Sequence, residues 1–370
     1  MSPRSFRRRA AAADLAHCRA ILADGSKSFC LAGKLLPAPV RNAAAAVYAF
    51  CRVADDEVDL YGGRLPAVAR LRERLDLAYA GRPLDRPLDR ALADVVAAYA
   101  LPRALPEALL EGLEWDAEGR SYEDLSALHA YAARVAGSVG AMMACLMGVR
   151  DERVLSCACD LGAAMQFSNI ARDVGEDAAA GHLYLPRQWL REVGIDPDEW
   201  LSAPRASAAL TAVIRRLVGV AEALYARADA GIARLPLRCR PGIYAARLLY
   251  AEIGHEVLRL GQAAFSRRAV VPEWRKAALL SLATARAVAP PPPLPTESVA
   301  EARFLVEALT APTWSVPDGA AGGIAIPWWN LEQRVVWVLL LFERLEQRKR
   351  AGYAIGYRGG VMGEGEAYAG

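Results

Sequence analysis

"YAFCRVADDEVD", Tyr48–Asp59, reads as the end of a helix with four acidic residues in its last five positions. Asp is a poor helix former, and like charges four apart cost a few tenths of a kcal/mol, so the crowding needs a reason. At 100° per residue Tyr48, Arg52, Asp55 and Asp59 fall within an arc of about 60°. Asp56 lies at its edge and Glu57 points elsewhere. A solvated surface scatters its charges, whereas here an aromatic ring, a guanidinium and two carboxylates share one face.

The pattern occurs again in "QFSNIARDVGEDAAAGHLYLP", Gln166–Pro186. On a helix Gln166, Asn169, Asp173 and Asp177 lie within an arc of about 80°, with Arg172 beside the first Asp. One D-x-x-x-D pair is weak evidence, because helical Asp pairs are common on solvated faces. Two of them, each extended by amide or aromatic partners on an otherwise apolar helix, are specific. Carboxylates one turn apart are hard oxygen ligands aimed at a common point. Magnesium suits them, since it takes one or two carboxylates, keeps waters and completes its octahedron with phosphate oxygens. Two such stripes facing each other across a helical bundle would hold a Mg²⁺–diphosphate cluster at the mouth of an apolar cavity.

The rest of the chain fits a bundle. It has 370 residues, is 54% hydrophobic and is rich in Ala, Leu and Arg, which points to helices around a large core. No proline occurs between Pro106 and Pro186. Expected helix breaks are Pro37–Pro39, Gly62–Gly63, Gly81–Pro87, Gly119–Tyr122, Gly181–Pro186 and Pro236–Pro241; "RAVVP", Arg268–Pro272, is the best strand signal. A net charge of +3 argues against nucleic acid as a partner. Seven irregularly spaced cysteines form no zinc pattern, and no two of the four histidines stand four apart. No secretory signal and no run of 18 apolar residues is visible, so a cytoplasmic chain is expected. Four segments are expected: a helical domain over 1–288, a Pro/Gly-rich linker over 289–327, an amphipathic helix over 328–350 and a disordered tail over 351–370. Val335–Phe342 is an unbroken apolar run, and the helix ends on basic residues. Packing on the domain and peripheral attachment to the inner membrane are the two expectations for it.

In order, "GSKSFCLAGKLLP" (25–37), "RNAAAAVYAFCRVADDEVD" (41–59), "DAEGRSYEDLSALHAYAARVAGSVG" (116–140), the second acidic stripe and "LYAEIGHEVLRLGQAAFSRRAVVPEWRKA" (249–277) resemble the squalene/phytoene synthase family. Within it the chain is most similar to bacterial phytoene synthases. The resemblance spans about residues 20–285. It implies an all-α isoprenoid-synthase bundle around a central apolar cavity, and a prenyltransferase. The expected reaction joins two geranylgeranyl diphosphates head to head, through a cyclopropyl diphosphate, to phytoene. This would be the first committed step of carotenoid synthesis, with the product handed to a downstream desaturase. Mg²⁺ is the expected cofactor, Mn²⁺ the alternative, and NADPH is not expected.

Carried over by position, Asp55, Asp59, Asp173 and Asp177, with Asn169, would ligate the metal. Gln166 and Asn169 would orient diphosphate or metal-bound water, and Arg52 and Arg172 would offset phosphate charge. Ser26, Lys27 and Ser28 would close over a diphosphate, with Phe29 against the prenyl chain and Tyr184 near the phosphates. Tyr48, Tyr131 and Tyr250 would flank the reacting carbons, and Arg267 or Arg268 would reach the diphosphate. Departures are Ala179, Ala180 and His182, where relatives often carry basic residues, and Gly254, where a larger residue is common. The competing interpretations are helix-surface ion pairs for Arg52 and Arg172, and ordinary packing for Tyr131 and Tyr250. The competing functions are a C30 sibling using farnesyl diphosphate and a non-catalytic scaffold of the same fold. Small residues below the stripes, Cys159 and Gly162 on one helix and Ala44 and Ala45 on the other, are expected to leave room for the longer substrate. Cys159 lies roughly 21 Å below Asp173 at 1.5 Å per residue.

Overall fold

A computed structural model describes residues 10–60 and 64–310, without the side chains of 58–60 and 64. Among the described residues the chain is all-α. Fifteen α-helices follow in order: α1 (Ala12–Gly25), α2 (Lys27–Gly33), α3 (Ala38–Leu60), α4 (Arg64–Tyr79), α5 (Pro87–Tyr99), α6 (Ala104–Ala117), α7 (Leu125–Ala132), α8 (Ser138–Leu146), α9 (Glu152–Ala179), α10 (Arg187–Glu192), α11 (Pro197–Ser202), α12 (Ala208–Ile232), α13 (Arg240–Leu260), α14 (Glu273–Arg286) and α15 (Arg303–Thr310). Local chemistry sets the starts. Asp151 accepts from the backbone N–H groups of Arg153 and Val154 at the head of α9, and Ser207 accepts from Leu210 N–H at the head of α12, leaving fewer orphan donors there. Pro87 and Pro197 open α5 and α11, where a missing N–H costs nothing. Gly181, at φ 83°, turns the chain after α9. The expected breaks fall between helices, except that Gly62–Gly63 lies outside the described residues.

α9 runs through the centre and packs on α8, α12 and α13. It has no polar stripe of the usual amphipathic kind, and from Val154 to Val174 most of its side chains are buried, as a helix enclosed on all sides must be. Between α7 and α8 the helix does not stop. Ala133–Gly137 forms one π-turn, so Leu125–Leu146 is a single helix with an extra residue in its middle.

Two expectations need correction. "RAVVP" is not a strand; residues 268–272 have no regular secondary structure, since a lone apolar segment in a helical bundle has no strand to pair with. The expected linker, as far as it is described, is not a free spacer. Arg153 donates to the Leu294 and Pro295 carbonyls, Arg234 to that of Pro292 and Arg227 to that of Glu297. Prolines cannot donate, but their carbonyls still accept, and three arginines tie the run to the bundle. α15 then buries Leu305, Val306 and Leu309 against α6, α8 and α9. The compact unit therefore includes the chain through α15. The rest of the expected linker, the helix 328–350 and the tail 351–370 lie outside the described residues. No described helix is long and apolar enough to cross a membrane.

Candidate active site

The bundle encloses a cavity of about 820 Å³. Along α9 its wall runs Val154, Cys157, Ala158, Leu161, Gly162, Met165, Gln166, Asn169, Arg172, Asp173, one helical face spanning roughly 28 Å at 1.5 Å per residue. The end at Asp173 is polar. The other, bounded also by Leu36, Met143, Met147, Ile232, Leu235 and Ile243, is apolar. This is the shape that a long hydrocarbon with a charged head requires.

α3 supplies the first stripe, with Ala44, Val47, Tyr48, Cys51, Arg52 and Asp55 on the wall. Arg52 stands 2.6 Å from Asp56 and 3.7 Å from Asp55, the neighbouring-Asp pairing that the competing interpretation allowed. These groups are nearly half exposed, so the pair contributes little to stability and the guanidinium can be given up to a better anion. Asp59 follows one turn later, with its side chain outside the described residues.

The second stripe faces it. Arg172 lies along Asp173, its Nε donating to Oδ1 at 2.7 Å. Asn169 Oδ1 is buried with no hydrogen-bond partner among the described residues. Asp177 lies beyond the cavity wall. Burial, with the charges of Asp173, Glu176 and Asp116, pushes its carboxyl up to about 7, against the opposing charge of Arg172. Gly175, between the two aspartates, has a purpose invisible in the sequence: a Cβ there would sit 1.9 Å from the Phe265 carbonyl oxygen. That close approach brings the chain after α13 onto α9. Arg268 then reaches Glu176 at 2.7 Å and Asp173 at 3.7 Å and lines the cavity, as does Lys276. Arg267 is exposed and is not on the wall, so of the two arginines only Arg268 is positioned at the mouth.

On the α1–α2 side Ser26, Lys27, Ser28 and Phe29 border the cavity. Ser26 caps α2, accepting from Phe29 N–H at 3.2 Å. Phe29 stacks on Tyr250 at 4.7 Å and meets Tyr48 edge-on at 6.0 Å. Gly25 allows this packing, since its Cβ would lie 2.6 Å from the Tyr48 hydroxyl. Burial raises the Tyr48 phenol to about 12 and also raises that of Tyr250, so both rings stay neutral.

Across the cavity the π-turn lets Tyr131 and Val135, Ala136, Val139 and Gly140 all face inward. Tyr131 is 3% exposed, and its hydroxyl donates to Asp116 at 2.8 Å. Tyr184 does not line the cavity; it stands behind Tyr131 and donates to the other oxygen of Asp116 at 2.9 Å. His182 stacks on Tyr184 at 6.0 Å. Asp116 escaped the sequence reading because it belongs to neither stripe. Its only signal was its position at the head of the third block that carries the family resemblance, "DAEGRSYEDL".

The expected depth markers divide. Ala44 lines the cavity, whereas Ala45 and Cys159 are fully packed elsewhere. Gly162 borders it but serves mainly as a helix contact, since a Cβ there would fall 2.1 Å from the Ala136 carbonyl oxygen. Gly140 meets the Ala158 carbonyl in the same way, and Gly254 leaves room for Val218.

The oxygen donors suit a hard divalent cation shared with substrate. Asp55 and Asp173 present carboxylates to the cavity and Asn169 an unsatisfied carbonyl oxygen. Among the described residues no three carboxylate, His or Cys groups converge as a preformed cage.

Comparisons with known proteins identify the family. The family model described as squalene/phytoene synthase matches residues 22–275. A phytoene synthase from Cereibacter sphaeroides is 51% identical over 291 residues, covering 76% of this chain and 82% of that protein. One from Rhodobacter capsulatus is 50% identical, covering 72% and 79%. Among solved structures, a dehydrosqualene synthase in complex with ligand superposes with a TM-score of 0.68 at 32% identity, covering 74% of this chain and 96% of that one.

Proposed function

This chain belongs to the squalene/phytoene synthase family, and we propose that it is the prenyltransferase that condenses two geranylgeranyl diphosphates to phytoene, the entry step to carotenoids. The observation that carries the proposal is the cavity itself: a largely apolar slot edged at one end by Asp55 of the first stripe, Asp173 of the second, and Arg52, Arg172 and Arg268. The 50–51% identity to two phytoene synthases supports C20 over C15 substrates.

In this reading Asp55, Asp59, Asp173 and Asp177, with Asn169, hold Mg²⁺. The metal supplies charge neutralisation for the leaving diphosphates. Arg52, Arg172 and Arg268 exchange their carboxylate partners for phosphate oxygens, which guanidinium groups grip in a fork. Ser26, Lys27, Ser28 and Gln166 fix the remaining phosphate oxygens. Ionisation of one substrate leaves an allylic cation, and the double bond of the second attacks it. Proton loss closes a cyclopropane that still carries a diphosphate; a second ionisation, rearrangement and proton loss give the triene core. The ring faces of Phe29, Tyr48, Tyr131 and Tyr250 stabilise positive charge, and the apolar wall excludes the water that would trap either cation. The main helical domain carries the chemistry. Helix 328–350 holds the cytoplasmic enzyme at the inner membrane, where an uncharged C40 product can pass to a desaturase.

Incubating the purified chain with Mg²⁺ and either prenyl diphosphate, then weighing the hydrocarbon, tests the reading. A C40 product from geranylgeranyl diphosphate is expected. A C30 product from farnesyl diphosphate alone would identify the shorter-chain sibling, and no hydrocarbon from either would refute the assignment.

A further inference from the structure

Asp116 lines the cavity outside both acidic stripes and anchors two phenols. Each of its oxygens accepts one hydroxyl, Oδ2 from Tyr131 at 2.8 Å and Oδ1 from Tyr184 at 2.9 Å. The rings of these tyrosines stack 5.3 Å apart, and Tyr122 leans on Tyr131 at 5.0 Å. The Tyr131 side chain is therefore held at the ring by packing and at the hydroxyl by charge. A phenol has one proton to give. Since that of Tyr131 goes to Asp116, its oxygen can present only lone pairs to the cavity that Tyr131 and Asp116 both line.

Those lone pairs suit a definite need. Closing the cyclopropane requires removal of a proton from C1 of the ionised substrate, deep in a pocket that excludes water. Resting on the function proposed above, we propose that Asp116 is a positioning residue that makes Tyr131 the acceptor of that proton. As the C–H electron pair at C1 becomes the closing carbon–carbon bond, the proton passes to Tyr131 Oη. The phenol's own proton passes to Asp116 Oδ2. The carbocation and the carboxylate are both neutralised, and the phenol is regenerated in the same step. Asp116 gives its proton to water once the product has left. The second phenol keeps the carboxylate from swinging away, because Tyr184 occupies the oxygen that Tyr131 does not use.

The experiment compares wild type, D116N and D116E on geranylgeranyl diphosphate and on the same substrate deuterated at C1. D116N keeps the shape and an acceptor oxygen but cannot take up a proton. Its kcat should fall on the order of 10²-fold, the usual contribution of a positioned proton acceptor, with KM unchanged. Proton removal then becomes slow enough to show, so the deuterated substrate reacts more slowly than the ordinary one by a larger factor than in wild type. D116E keeps the acceptor at an altered distance, so its kcat falls less while the larger isotope effect remains. It carries the test if D116N does not fold by circular dichroism. Loss of rate with an unchanged isotope effect in the folded variants would reduce Asp116 to a scaffold for two tyrosines. Near-normal kcat in D116N would assign the proton to the departing diphosphate. Either result overturns the proposal. A wild-type chain that makes no hydrocarbon would instead refute the functional reading on which it rests.

Discussion

Gly175→Ala adds one methyl group to the middle of the second acidic stripe, yet should act mainly on Arg268. The new Cβ would lie 1.9 Å from the Phe265 carbonyl oxygen, where ordinary contact begins at 3.4 Å. The obstacle is backbone, so rotating a side chain cannot relieve it, and the chain around Phe265 must retreat by about 1.5 Å. Arg268 is three residues further on and would be drawn from its 2.7 Å contact with Glu176 and from the cavity mouth. Overpacking of this kind costs about 1–3 kcal/mol, while replacing a mid-helix Gly with Ala returns roughly 1 kcal/mol. The net loss of stability is therefore about 0–2 kcal/mol, and the protein should stay folded. Activity should suffer more, because misplacing a binding group by about 1 Å can cost on the order of 10²-fold. Thermal unfolding measured beside kcat/KM for the prenyl diphosphate separates the two effects. A folded variant with wild-type kcat/KM would show that the Gly175–Phe265 contact does not position Arg268 and that Arg268 is dispensable at the mouth.

Ala44→Phe should block the cavity wall and shift use from geranylgeranyl to farnesyl diphosphate, whereas Cys159→Phe, in packed core, should lower stability by about 1–3 kcal/mol and depress both substrates alike. Equal effects of the two substitutions on substrate preference, read from competition assays, would exclude Ala44 from chain-length selection. Removing residues 326–370, with their apolar run and basic end, should reduce sedimentation with anionic liposomes while leaving turnover in detergent intact; equal sedimentation of the two forms would assign that segment another role.

Helical class and both acidic stripes were legible in the sequence because each depends on residues three and four apart, within one helix. What could not be read depends on contacts between distant segments. Cys159 and Gly162 share the face arithmetic of a straight helix, but Ala136 and Gly137 of the π-turn press against that side of α9, so the cavity wall keeps Gly162 and passes through Cys157 and Ala158 instead of Cys159. Arg268 and not Arg267 reaches the mouth because Phe265 docks on Gly175, ninety residues earlier. Asp116 becomes a hub only when Tyr131 of α7 and Tyr184 of the loop after α9 converge on it. The proline run after residue 288 signals stiffness, yet nothing in it foretells that Arg153, Arg227 and Arg234 will grip its carbonyls.

The central claim is that the two acidic stripes hold one metal–diphosphate cluster, and the turnover of Asp59→Ala, Asp177→Ala and the double variant in saturating Mg²⁺ tests it most directly. Each single variant should lose on the order of 10²-fold or more, comparable to removing one preorganised charge-stabilising group. The double variant should fall well short of the product of the two losses, since groups in one network are not additive. Near-normal turnover of either folded single variant, or losses that simply multiply, would contradict a shared cluster.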